Sequence, residues 1–123
     1  MNLPYGDTFT LRYIHSVDHA PVFEVFRAVR GKGLVLVETY FQMFGAGMGH
    51  WEGHGKIVQD GRWIKIKDIN QPLGCFLLRV GTPGVDHTIL YHGEEWNLSE
   101  KAAGRLVEVM IAERDYGTAQ DAK

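Results

Sequence analysis

Two histidines near the middle of the chain, His50 and His54, have the H-x-x-x-H spacing that can bind zinc when a carboxylate completes the site. That geometry requires a helix, which glycine disfavours, and four glycines surround the pair: Gly47, Gly49, Gly53 and Gly55. On an extended segment the two rings would lie about 13 Å apart, at roughly 3.3 Å per residue. A turn would be needed to bring them together, so they are weak metal candidates, and a polar glycine-rich loop is the alternative.

A second candidate for chemistry is the adjacent pair His15 and Ser16. A serine nucleophile needs a base within hydrogen-bond reach and a third group that orients the base. His87, with Glu24 or Glu38, would complete such a set. The sequence lacks the G-x-S-x-G motif of a nucleophile elbow. We therefore expect no catalytic residue here, and a polar cluster at a strand end is the competing interpretation.

Three charged residues interrupt apolar runs: Glu24, Glu38 and Arg79. A carboxylate that faces a protein interior must be paired or hydrogen-bonded, and Arg12, Arg27 or Arg79 would be the partner. An arginine directed into a pocket would instead bind a carboxylate ligand. The third interpretation is that these charged side chains lie on exposed faces of strands. A small-ligand or metal site built from His15, Glu24 and His87, with Arg79 on an anion, therefore remains an alternative function.

The composition excludes several classes of protein. The chain is 45% hydrophobic and 23% charged, has a net charge of −2, and contains no block of Lys and Arg, so we expect no nucleic-acid partner. Cys75 is the only cysteine and lies in an apolar run, which predicts a small buried side chain. The Gly45–Gly49 segment matches neither glycine-rich phosphate-binding pattern, and we expect no cofactor. No apolar stretch approaches the roughly 18 residues of a membrane helix.

Alternating apolar and polar residues predict short strands separated by turns at intervals of 8–14 residues. The predicted strands cover 8–16, 21–29, 34–44, a hairpin over 56–67, 74–81, 86–92 and 105–113. Asp60 and Gly61 are predicted to form the turn of the hairpin, and Ser99–Ala103 a loop or a single helical turn. This pattern predicts an all-β domain, an antiparallel β-sandwich or partly open barrel of about eight strands. The domain is expected to cover residues 1–123, with a core at 7–113 and a frayed tail at 115–123.

Six segments are distinctive in combination: Phe9–Val17 (FTLRYIHSV), Pro21–Glu24, Phe44–Met48, Asp60–Gly61, Leu78–Gly81 and His87. Together they resemble a small bacterial family named only as domain of unknown function 1850. The resemblance covers roughly residues 7–113. The resemblance marks seven residues as candidates for ligand binding or interaction, although the family has no agreed roles for them: His15, Ser16, Glu24, Gly45, Gly47, Arg79 and His87.

The resemblance also implies a role. Members of the family are typically encoded beside, or linked to, TAXI-class TRAP transporters. We therefore expect a non-enzymatic accessory module that docks to the transporter membrane subunit or to its solute-binding protein. Such proteins usually carry an N-terminal hydrophobic segment, which this sequence lacks. The expected location is extracytoplasmic, in the periplasm or on the outer face of the inner membrane, with a membrane contact only through that missing tether.

Overall fold

The computed structural model describes residues 3–15, 19–42 and 55–112. Within these residues the chain is mostly β-structure, which confirms the predicted fold class. The elements are β1 (Thr8–Ile14), β2 (Pro21–Val29), β3 (Gly33–Gln42), β4 (Lys56–Asp60), β5 (Trp63–Lys67), β6 (Gln71–Gly74), β7 (Phe76–Arg79), β8 (Thr88–Tyr91), β9 (Glu94–Asn97), α1 (Ser99–Ala102) and β10 (Leu106–Val109). The four-residue helix α1 lies where a single helical turn was predicted.

The strands form two antiparallel sheets. The large sheet has the order β4-β5-β3-β2-β1-β8-β9, and the small sheet pairs β10 with β7. Strand β3 is long enough to hold two partners along one edge, because Thr39–Gln42 pair with β5 and Gly33–Leu36 pair with β6. A β-bulge beside Val25 and Phe26 shifts the pairing of β2 with β3. Because the bulge inserts an extra residue, it lets both halves of β3 direct apolar side chains to the same face of the sheet.

The hydrophobic core lies on one face of the large sheet, here called the inner face. Its buried centre is Phe9, Leu11, Phe26 and Leu34. The small sheet packs against this centre, and the rings of Phe26 and Phe76 stack with their centroids 5.0 Å apart. The small sheet therefore covers part of the inner face, as in a sandwich. The opposite face is the outer face.

Two strands were missed by the sequence prediction of about eight strands. Strand β6 contains Pro72. Because proline has no N–H to donate to a neighbouring strand, its presence in a sequence disfavours the prediction of a strand. Strand β9 begins with two glutamates, which are depleted in strands. Its pairing with β8 across the two-residue loop His92-Gly93 makes it a strand nevertheless. In both cases, pairing with the neighbouring strand outweighs the low strand propensity of the local sequence.

The predicted strand over 74–81 is split in the structure. The chain pairs with β3 as far as Gly74 and then enters the small sheet at Phe76. Cys75 lies at this break and is exposed, so the prediction of a buried cysteine is wrong. A hydrogen bond to Glu108 raises the pKa of the Cys75 thiol, which disfavours the reactive thiolate.

The hairpin over 56–67 is confirmed, but its turn lies one residue later than predicted. Asp60 pairs with Trp63 as part of the strands, so the two loop residues are Gly61 and Arg62. Gly61 has a φ of 63°, and Arg62 is outside the positive-φ region. One positive φ, at the first loop position, is the requirement of a type II′ turn.

Several predictions concern residues outside the described ranges: Ser16, Gly45, Gly47, His50, His54 and the tail at 115–123. Within the described ranges, no helix has both the length and the apolar character to cross a membrane.

Candidate functional site

Three polar side chains from separate parts of the chain meet at one end of the inner face. Glu24 lies directly opposite the buried Leu11 in the pairing of β2 with β1, and Tyr13 follows two residues later on the same face of β1. The rings of Tyr13 and His87 have their centroids 5.0 Å apart. Burial, and after it the charge of Glu24, raises the pKa of the Tyr13 hydroxyl. Tyr13, Glu24 and His87 are called the polar cluster below.

His87 is held in place by two hydrogen bonds. The Gly81 N–H donates to Nδ1 of His87 over 2.8 Å, and the His87 N–H donates to the Ser99 hydroxyl oxygen over 3.1 Å. Since Nδ1 accepts a hydrogen bond, the proton of the neutral ring is on Nε2. Burial lowers the pKa of His87 from its ordinary value of 6.5, and the side chain is 9% exposed. The His87 ring is therefore neutral and fixed in orientation at pH 7.

Glu24 is the charged member of the polar cluster. Burial raises the pKa of its carboxyl above the ordinary value of 4.5. The charged form is disfavoured because the inner face replaces water around the carboxylate. The predicted interpretation of Glu24 as part of an exposed strand face does not fit this position, and Arg12, one proposed partner, pairs with Glu95 instead at 3.1 Å.

Replacing Glu24 with glutamine is expected to stabilise the fold at pH 7 and to have little effect at pH 4. The folded state raises the carboxyl pKa, so the folded protein binds the proton more readily than the unfolded chain does. Its contribution to stability is therefore present at low pH and is lost as the pH rises through the folded-state pKa. Glutamine removes that loss because it carries no charge.

The measurement is the free energy of unfolding in urea at both pH values. Glu38→Gln is the matched control, because Glu38 lies opposite Val25 on the outer face. A loss of stability for Glu24→Gln at pH 7 would contradict the assignment, since it would mean that the carboxylate is held by favourable contacts.

The other predicted site residues are placed differently. His15 is exposed at the end of β1, where its N–H donates to the carbonyl of Ala20 over 2.9 Å. Arg79 is exposed on the small sheet, and its guanidinium donates to the carbonyl of Gly104 over 2.9 Å. The structure thus brings Glu24 and His87 to Tyr13 and directs Arg79 away from the polar cluster.

The metal interpretation gains no support from the described ranges. Within them, no group of three or more His, Cys, Asp or Glu side chains is arranged to hold a metal ion. In the polar cluster, the Nδ1 atom of His87 already accepts a hydrogen bond from the Gly81 N–H.

A second cluster was missed by sequence reasoning. Tyr91 donates its hydroxyl to Oδ2 of Asp7 over 2.7 Å, and His92 Nε2 lies 3.4 Å from the same oxygen. The hydrogen bond from Tyr91 is the main reason that the pKa of Asp7 is lowered. Because Asp7 and Tyr91 are 84 positions apart in the sequence, no local sequence pattern predicts this hydrogen bond. It joins the start of β1 to the end of β8.

The most exposed apolar residues of the described chain lie on the small sheet, on the side away from the core. Leu77 is 65% exposed, Leu106 52% and Met110 55%. Leu77 lies opposite Glu108 and Leu106 opposite Arg79, so the two leucines are diagonal neighbours with a charged residue beside each. These five residues are called the small-sheet surface.

Comparison with known protein families shows a match over most of the chain. A family model described as Domain of unknown function (DUF1850) matches residues 9–98. The matched range includes all three members of the polar cluster and ends immediately before α1. No curated protein and no solved structure matches the chain.

Proposed function

Since the chain belongs to the DUF1850 family, we propose that it is a non-enzymatic interaction module of a TAXI-class TRAP transporter, located outside the cytoplasm. It docks to the membrane subunit of the transporter or to its solute-binding protein. The choice of this transporter class as the partner comes from the family resemblance. The docking role rests on one observation, the exposed apolar side chains of the small-sheet surface.

The small-sheet surface has the makeup of a docking site. Soluble proteins rarely expose large contiguous apolar patches unless the patch contacts a partner. Leucine and methionine side chains supply the area that is removed from water on binding, at about 25 cal/mol per Å². Arg79 and Glu108, next to the two leucines, supply the charged rim that orients a partner. The inward side of the same two strands packs on the core, which holds the surface in a fixed shape.

The double variant Leu77→Asp, Leu106→Asp is expected to weaken association with the transporter by more than tenfold. Side chains at the centre of an interface contribute more than about 1.4 kcal/mol each when they are hot spots, and aspartate places an unpaired charge there. Co-purification with the detergent-solubilised membrane subunit, and calorimetric titration with the solute-binding protein, measure the effect. Thermal unfolding checks that the variant is folded, because both replaced side chains are exposed.

Leu73→Asp is the matched control for this experiment. Leu73 is also an exposed leucine, 38% exposed, but it belongs to β6 in the large sheet. It should leave the association unchanged. The proposal is rejected if the unaltered chain binds neither partner at micromolar concentration, or if both variants weaken binding equally.

A further inference from the structure

Strand β4 forms one end of the large sheet. All five of its residues are exposed, whereas its neighbour β5 contributes Ile64 and Ile66, which are 0% and 1% exposed. Over the ranges that the structure describes, β5 is the one strand paired with β4. The other edge of β4 therefore presents a row of backbone N–H and C=O groups with no strand from the described ranges beside it.

The other free edges of the large sheet carry features that discourage pairing, whereas β4 carries charges only at its two ends, Lys56 and Asp60. Strand β9 has Glu94 and Glu95 at its edge, and β6 contains Pro72. Charges and prolines are devices that keep sheet edges from accepting another strand. In β4 the central residues Ile57–Gln59 are uncharged, and its register with β5 has no bulge. Among the free edges of the large sheet in the described ranges, β4 is thus the one whose central residues include neither a charge nor a proline.

The β4–β5 hairpin is also positively charged in an acidic protein. Residues 56–67 contain four basic residues and one acidic residue, a net charge of +3, while the whole chain carries −2. Lys56 and Lys67 lie directly opposite each other, and Lys65 lies on the same outer face. Like charges directly opposite each other destabilise a strand pair. Within the described ranges no ion pair joins these lysines to an acidic residue, so a negative partner would relieve the repulsion.

On the inner face, a strand added beside β4 would need a different kind of side chain. Ile57 lies opposite the buried Ile66, yet Ile57 itself is 41% exposed. A strand added beside β4 would cover Ile57 with its own inward side chain, and an apolar side chain fits that place. Because side chains alternate between the two faces of a strand, the added strand needs an apolar residue beside Ile57 and, on the other face, an acidic residue beside Lys56, at the end of β4 away from Asp60.

From these observations we propose that β4 binds an extended segment of a partner protein as an added β-strand, and that acidic and apolar residues alternate in this segment. Main-chain hydrogen bonds supply affinity and the side chains supply specificity, as in other cases of strand addition. The site lies on the large sheet, away from the small-sheet surface, and does not depend on the proposed transporter role.

The test uses the full chain and a soluble peptide of alternating glutamate and valine, followed by NMR and by calorimetry. The backbone amides of β4 should shift and exchange more slowly with solvent, and the affinity should fall as salt is added. A peptide of alternating lysine and valine, and a glutamate-valine peptide with a central proline, should bind at least tenfold more weakly. The first carries the wrong charge, and the second lacks a main-chain donor.

The protein variants make the test specific. Lys56→Glu with Lys67→Glu should weaken peptide binding at least tenfold, and Lys32→Glu with Lys101→Glu, at exposed lysines elsewhere, should leave it within twofold. The proposal is overturned if the peptide leaves the β4 amides unchanged at millimolar concentration, or if polyglutamate binds equally well. It is also overturned if the chain self-associates and Glu94→Lys abolishes the association, because β9 of a second copy would then occupy the edge.

Discussion

Replacing Phe26 with alanine is expected to lower the free energy of unfolding by about 3–5 kcal/mol, the cost of removing a buried phenylalanine. The Phe26 side chain is 3% exposed. Its ring stacks on Phe9 at 5.4 Å and on Phe76 at 5.0 Å, so it contacts both the large sheet and the small sheet. Alanine leaves a cavity at the point where the two sheets meet. Urea unfolding followed by circular dichroism measures the loss.

Phe23→Ala is the control for that experiment. Phe23 is in the same strand and also stacks on a neighbour, Tyr40, at 4.6 Å, but it lies on the outer face and is partly exposed. Its loss should be smaller, because less area is returned to water and no enclosed cavity forms. Equal losses for the two variants would mean that the outer aromatic side chains stabilise the sheet as much as the core does.

Replacing Gly33 with alanine is the second change with a large expected effect. Gly33 has a φ of 75°, and a Cβ atom there would lie 2.6 Å from the carbonyl oxygen of Gly74 and 2.9 Å from its Cα. The left-handed backbone costs an alanine about 1–2 kcal/mol. Overpacking adds roughly 1–3 kcal/mol, because the obstructing atoms belong to the backbone of β6 and cannot rotate away.

Gly31→Ala separates the two costs. Gly31 also has a positive φ, 82°, but no atom lies within 4 Å of a Cβ built there. It should therefore show only the backbone cost. The difference between the two variants in the free energy of unfolding measures the contact between Gly33 and Gly74. Disruption of this contact should also make the backbone amides of β6 exchange faster with solvent in Gly33→Ala, but not in Gly31→Ala. Equal destabilisation by the two variants would argue against this close approach of β3 and β6.

Local alternation was enough to locate most of the strands. Phe9 and Leu11 alternate with polar residues in the sequence, and both are buried in the structure. The period of two is a property of the extended backbone itself, so it can be read without knowing which strands pair. The same reasoning failed at Cys75, because an apolar run does not reveal that the chain changes sheets there.

The candidate site could be predicted only in part. Glu24 and His87 were identified as unusual residues from the sequence, and the structure places both beside Tyr13. Tyr13 lies within the predicted strand over 8–16, and nothing in its residue type or spacing marks it as a site residue. Nothing in the sequence showed that β1 lies between β2 and β8, and that order is what brings the three side chains together. The small-sheet surface depends in the same way on the pairing of β7 with β10.

By itself, the sequence determined the β-class of this protein, the positions of its main strands and its family, since these follow from residue type and spacing along the chain. The tertiary structure alone decided that Arg79 points away from the polar cluster and that Asp7 binds Tyr91. It also decided that β4 ends the large sheet with an open edge in the described part of the chain. The physical reason is that alternation is a short-range property of the backbone, whereas strand order and register come from contacts between residues far apart in the sequence.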